Sequence, residues 1–255
     1  MTSLPVLSDV SAPVSRAPTP GPTVSMPVNA ALLVLADGRF PAGAHAHSFG
    51  VEAACALAGL ADLGSLDAFV RARLATVGRV EAAFSAATCA RLQADAPTQV
   101  PWGELDAELA ARTASPVVRA ASRSLGRQLL RAGERVWPSP AFAVVRAGGP
   151  PDGPLQPVAL GAVAHAAGLG ALDAAMCSLY HLVTATTTAA VRLLGLDPFE
   201  VTALVARLAD ELAQRAGEAE AHGAGAIRDL PATTGLLADV LAEHHATWEV
   251  RLFAS

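Results

Sequence analysis

Two histidines one residue apart, His45 and His47, are the first side chains in this sequence equipped for chemistry. An H-x-H pair in a loop can offer two imidazoles to a metal ion. Two ligands do not complete a structural site, and no Cys, Asp or Glu follows at metal-ligand spacing. Glu52 is the nearest carboxylate. His45, His47 and Glu52 together define one reading, a small helical metal-binding protein or enzyme. His244 and His245 form a second pair, but consecutive residues on a helix point about 100° apart and would not readily share an ion. His165 and His181 stand alone in helical surroundings. Cys177 lies one helical turn before His181, which permits contact, yet Ala174, Ala175, Met176 and Leu179 around it read as core. No G-x-S-x-G elbow and no convincing Ser/His/Asp arrangement supports nucleophilic catalysis. Residues 148–154 are glycine-rich but lack a lysine and Walker spacing, so they do not cradle phosphate.

Composition says what must position these residues. The chain has 255 residues, 52% of them hydrophobic and 16% charged, with only 4% aromatic. The apolar content is mainly Ala, Leu and Val; Ala and Leu lose little side-chain freedom in a helix, which favours an all-α fold. Net charge is -5, and all eighteen basic residues are arginines. Neither feature gives the basic footprint of a nucleic-acid binder. Cys55, Cys89 and Cys177 are dispersed and odd in number, which predicts buried free thiols in a reducing compartment. No secretory signal and no membrane-length apolar run is present, so a cytoplasmic protein is expected.

The expected architecture is a single-domain helical bundle of eight to ten helices over residues 28–255, preceded by a disordered Pro-rich tail over 1–27. Pro5, Pro13, Pro18, Pro20, Pro22 and Pro27 punctuate that tail. Helices are predicted at 30–36, from Ser48 as N-cap to about Gly59, from Ser65 to about 77, and over 79–94, 102–112, 116–135, 156–168, 171–193, 198–212 and 233–246. Asp197 and Pro198 read as N-cap and first helical residue. Residues 215–232, rich in Gly, Ala and Glu, read as a mobile loop. Arg119, Arg123, Arg127 and Arg131 recur every four residues as a basic stripe. Such a stripe is usually a solvated helix face; the sharper alternative is a surface for an acidic partner.

Two terminal motifs add a resemblance. Leu32-Leu33-Val34-Leu35-Ala36-Asp37-Gly38-Arg39 runs into Phe40-Pro41-Ala42-Gly43-Ala44-His45-Ala46-His47-Ser48-Phe49-Gly50-Val51-Glu52, and the chain closes on Arg251-Leu252-Phe253-Ala254-Ser255. Their order and spacing, with the segments 119–130 and 191–196 between them, resemble the UreF family of urease accessory proteins over residues 29–255. The resemblance implies an all-α, usually dimeric protein with no enzymatic activity and no resident cofactor. It implies partners: UreD (also called UreH), the nickel-carrying GTPase UreG, and the urease apoprotein. Nickel would be handled only transiently by the complex, and GTP hydrolysis modulated. By the same resemblance His45 stands where the family often has a tyrosine at the GTPase-binding surface. Arg251 matches the tail arginine linked to that surface, and Arg192 a basic position tied to GTP hydrolysis. Glu52 and His245 match a glutamate closing the first motif and a histidine shortly before the tail. His47, Ser48 and Phe49 fall within the same partner-binding motif.

The departures are His45 for the tyrosine, Gly195-Leu196-Asp197-Pro198 for a Pro-x-Gly-Gln-like stretch, and Glu249 where a tyrosine is common. In the tail, Leu252 and Phe253 suit pockets on a partner and Arg251 an acidic group. The alternative is a tail packed on its own domain.

Overall fold

A computed structural model describes residues 29–43 and 47–253. Among these, twelve α-helices and no strand are present. The long central helices are α4 (Arg79–Gln93), α6 (Pro116–Val136), α8 (Gln156–Ala166), α9 (Ala171–Leu194) and α11 (Ala209–Gly223). The helix α4 packs against α8, α9 and α11, while α6 covers the outer side of α8. Alanine makes this possible. Ala82, Ala83, Ala86 and Ala87 on α4 and Ala159, Ala162 and Ala164 on α8 are all buried, so the helix axes approach closely. Ser85 and Thr88 inside α4 return their hydroxyls to Glu81 O and Phe84 O, which satisfies both buried hydroxyls.

The smaller helices frame this core. They are α1 (Ala30–Ala36), α2 (Val51–Leu57), α3 (Leu63–Arg73), α5 (Trp102–Ala111), α7 (Ala141–Gly148), α10 (Pro198–Arg207) and α12 (Leu236–Ala246). A π turn, Leu74–Gly78, joins α3 to α4 without a break, so residues 63–93 form one rod. The caps follow side-chain chemistry. Asn29 accepts from Ala31 N–H at 3.0 Å and Asp197 from Phe199 N–H at 2.8 Å, with Pro198 at the first helical position as expected. Ser65 is not the cap of α3. Asp62 is, and Ser65 answers it from the third helical position in a reciprocal capping box.

Three further expectations are corrected. The stretch 215–232 is not a loop throughout, because α11 continues to Gly223. Leu212, Ala216, Ala219 and Gly223 form a small-residue stripe at helical spacing, buried against α4; Gly217 and Gly223 disguised it in the sequence. Arg91 then holds the next residues, donating to Gly223 O at 2.9 Å and Gly225 O at 2.7 Å. The helix α7 lies where no helix was predicted. The α6 arginine stripe is neither fully solvated nor free for a partner. Arg119 donates to Thr113 O and Ala114 O, Arg123 to Gly153 O and to the buried Asp106 carboxylate at 2.8 Å, and Arg127 to Asp152 O. These arginines pin the loops flanking α6, and Arg131 alone of the four has no such bond among the described residues. The expected 1–27 tail lies outside the described residues, and among the latter no helix is long and apolar enough to cross a membrane.

Candidate partner-binding site

The second motif helix begins later than Ser48. The chain turns over residues 48–51, with Val51 N–H donating to Ser48 O at 3.2 Å. Phe49 has φ 53° and Gly50 φ 87°, ψ -1°. Two successive positive φ values are those of a type I′ turn, which ordinarily wants Asn or Gly at its first centre. Phenylalanine there pays about 1–2 kcal/mol of left-handed strain. Phe49 is the one described non-glycine residue with positive φ. The turn consumes Phe49 and Gly50, so α2 starts at Val51 and Gly50 takes the cap position. Ser48, fully buried, is not the N-cap but still accepts from Glu52 N–H at 3.4 Å.

This start puts Glu52 in the first turn of α2, where the helix dipole favours a carboxylate. Oε1 accepts the Leu252 N–H at 2.8 Å. Oε2 accepts the Phe253 N–H at 3.1 Å and lies 2.9 Å from His245 Nε2. Burial alone would push the Glu52 carboxyl up. The Leu252 amide, His245 and the Phe253 amide outweigh it, and the group sits below its ordinary range. His245 is buried at the end of α12, with its ring 4.8 Å from that of Trp248. Trp248 in turn donates its indole N–H to His244 Nδ1 at 3.0 Å, so the two histidines serve different neighbours.

The tail is anchored a second time. Phe253 is buried, and the Arg192 guanidinium on the last turn of α9 lies 4.9 Å from its ring centroid. Arg251 and Leu252 remain exposed. The tail is thus tied to its own domain by backbone amides and one aromatic ring, while Leu252, 59% exposed, and Arg251 face outward. In the free chain Leu252 is exposed, and Phe253 packs on its own domain. Glu52, Arg192, His245, Leu252 and Phe253 therefore meet in one place from four segments of the chain. His47 is half-buried, its ring 6.0 Å from that of Phe49. His45 lies outside the described residues.

Sequence reasoning missed two members of the site, Arg73 and Trp248. Arg73 ends α3 and donates through Nη1 to Phe49 O. Its signal was available: it follows Leu66, Phe69 and Val70 at helical spacing, a charge where an apolar residue is due. A cavity of about 850 Å³ runs behind the site, with Phe49, Arg73, Arg192, His245 and Phe253 in its wall. Cys177 and His181 line it further in. Burial, helped by Asp173, pushes the Cys177 thiol up to about 12, and burial lowers His181 despite the Leu35 carbonyl at 3.0 Å from its Nε2. The thiol and imidazole, 3.7 Å apart within α9, make a packing contact and not a nucleophile with its base, while the His181–Leu35 bond ties α9 to α1. Among the described residues no three His, Cys, Asp or Glu side chains are grouped to hold a metal ion.

Comparison with known proteins identifies the family. The family model named UreF matches residues 60–209. A urease accessory protein UreF of Mycobacterium marinum is 40% identical over 231 residues, covering 89% of this chain and 98% of its own length. Its counterpart in Mycolicibacterium vanbaalenii is 39% identical over 227 residues, with the same two coverages. That of Mycobacterium tuberculosis is 38% identical over 231 residues, again 89% and 98%. On the helical fold, the family match and this identity across nearly the whole chain, the protein belongs to the UreF family of urease accessory proteins.

Proposed function

We propose that this chain is a cytoplasmic assembly chaperone without turnover of its own. It binds UreD (UreH), recruits the GTPase UreG to the urease apoprotein, and supports nickel delivery while modulating GTP hydrolysis. It works as a homodimer within that complex, and nickel passes as cargo. The observation that carries this reading is the Glu52 carboxylate holding Leu252 and Phe253 by their backbone N–H groups. A carboxylate used this way fixes the tail's path and leaves the Arg251 and Leu252 side chains outward, ready for a partner. The competing reading, metal binding or catalysis through His45, His47 and Glu52, would require Glu52 to abandon three hydrogen-bond partners.

Complementation tests the proposal. The full chain is expected to restore urease activity in a UreF-deleted host supplied with nickel, and to co-purify with UreD and UreG. Deletion of residues 251–255 is expected to abolish both. Failure of the full chain to restore activity would sink the chaperone reading. Full activity after the deletion would remove the tail from it.

A further inference from the structure

Arg73 is a half-buried cation whose enclosed guanidinium Nε no ion pair explains. It lines the cavity, lies 5.8 Å from the centroid of the Phe69 ring, and has no hydrogen-bond partner for its Nε. Its charged neighbours are Glu81 on α4 and Asp239 on α12, both of which act on it through space. Neither makes a described hydrogen bond to it. The side-chain bond it does make goes to Phe49 O, at the strained centre of the 48–51 turn. A guanidinium enclosed at its Nε and kept without an ion-pair hydrogen bond needs a specific task.

The π turn is what delivers it. A π turn accommodates one residue more than an α-turn, so everything before it is rotated by about 100° relative to an uninterrupted helix. Arg73 therefore stands where residue 74 of a plain α-helix would stand. Although eight positions apart, Arg73 and Glu81 fall about two turns apart on one face. The wider turn is itself held, because Thr233 Oγ1 donates to Thr76 O at 3.0 Å. One irregularity in the rod thus aims one cation at one carbonyl.

We infer that Arg73 is the positioning residue of the tail-binding site. It holds the Phe49 carbonyl, and with it the left-handed turn, so that α2 begins where Glu52 meets the Leu252 and Phe253 amides. The inference rests on the proposed partner surface only for its biological meaning; the positioning itself is a property of the free chain.

Hydrogen exchange on the full-length free chain reads it. Arg73→Ala is expected to speed exchange of the Leu252 and Phe253 amides at least tenfold, with α8 and α9 amides unchanged. Phe49→Gly in the Arg73→Ala background is expected to restore tail protection, because glycine adopts a type I′ turn unaided. A merely structural role for Arg73 would not be relieved by that second change. Unchanged tail exchange in Arg73→Ala would overturn the inference, as would failure of Phe49→Gly to rescue while the core stays protected. Should Arg73→Ala unfold the core, the comparison moves to Arg73→Lys with and without Phe49→Gly, where the same rescue supports the inference and its absence overturns it. Co-purification with UreD and UreG separates the two readings. A protected tail without partner capture counts against the partner surface alone, and an unaltered tail in Arg73→Ala counts against the positioning role alone.

Discussion

Glu52 shows how one side chain can organise a site without doing chemistry in it. Its two oxygens accept from Leu252, Phe253 and His245. Hydrogen bonds to a charged acceptor contribute about 1.5–3 kcal/mol each when desolvated and less when water competes. Glu52→Ala is therefore expected to free the tail while leaving the helices folded, read as loss of exchange protection at Leu252 and Phe253 with an unchanged helical circular dichroism spectrum. A tail still protected in that variant would mean that Phe253 and Arg192 suffice. The pH response follows from the depressed Glu52 carboxyl. A lowered folded value means its stabilisation is complete above the ordinary value of 4.5 and is lost as pH falls through the lower, folded value. Tail protection should be flat from pH 8 to 5 and disappear only in stronger acid; a loss already above pH 5 would count against Glu52 as the group that holds the tail. Glu52, His245 and the tail were each legible in the sequence as family positions. That they bond to one another was not, because about two hundred residues separate them. Arg73 was legible only as a charge in an apolar row, and its target depends on a π turn that no periodicity announces.

At the level of elements, close approach decides what each helix tolerates. Gly161 on α8 faces α4 so tightly that a Cβ there would lie 2.3 Å from Ser85 O and 2.6 Å from Thr88 Cβ. Backbone cannot retreat as a side-chain tip can, so Gly161→Ala is expected to destabilise the fold by about 1–3 kcal/mol. Gly217 is the contrast. It lies within α11 with nothing within 4 Å of its would-be Cβ, so Gly217→Ala should stabilise by about 0.5–1 kcal/mol through helix propensity. Chemical denaturation of both variants checks the pair, and equal effects would refute the packing argument. The same contrast explains which helices could be read from sequence. The helix α9 has Leu179, Val183, Ala190 and other apolar residues at helical spacing, and its predicted span of 171–193 nearly matches Ala171–Leu194. The helix α11 buries Ala and Gly, which look like loop composition until a neighbouring Ala-rich face is known to receive them. The 198–212 pattern was likewise read as one helix, whereas the chain bends between Arg207 and Ala209.

Across the whole molecule, the site exists only because the bundle brings together four segments: the 47–52 turn, the end of α9, the end of α12 and the tail. Arg192 is where this matters most. The family resemblance assigns it to modulation of GTP hydrolysis, yet here its guanidinium stacks on Phe253. If Arg192 acts by holding the tail, removing Arg192 and removing Phe253 should disturb the same contact, and the two losses should not add. A double-mutant cycle of Arg192→Ala and Phe253→Ala on tail exchange should give a coupling of about 0.5–1 kcal/mol, the usual worth of a partly exposed cation–aromatic pair. The matching cycle on UreG capture decides how the position works. Non-additive losses there would mean Arg192 acts through the tail it clamps. Additive losses, with coupling still present in the exchange measurement, would mean that Arg192 also meets the GTPase directly, its exposed position at the end of α9 leaving room for both contacts.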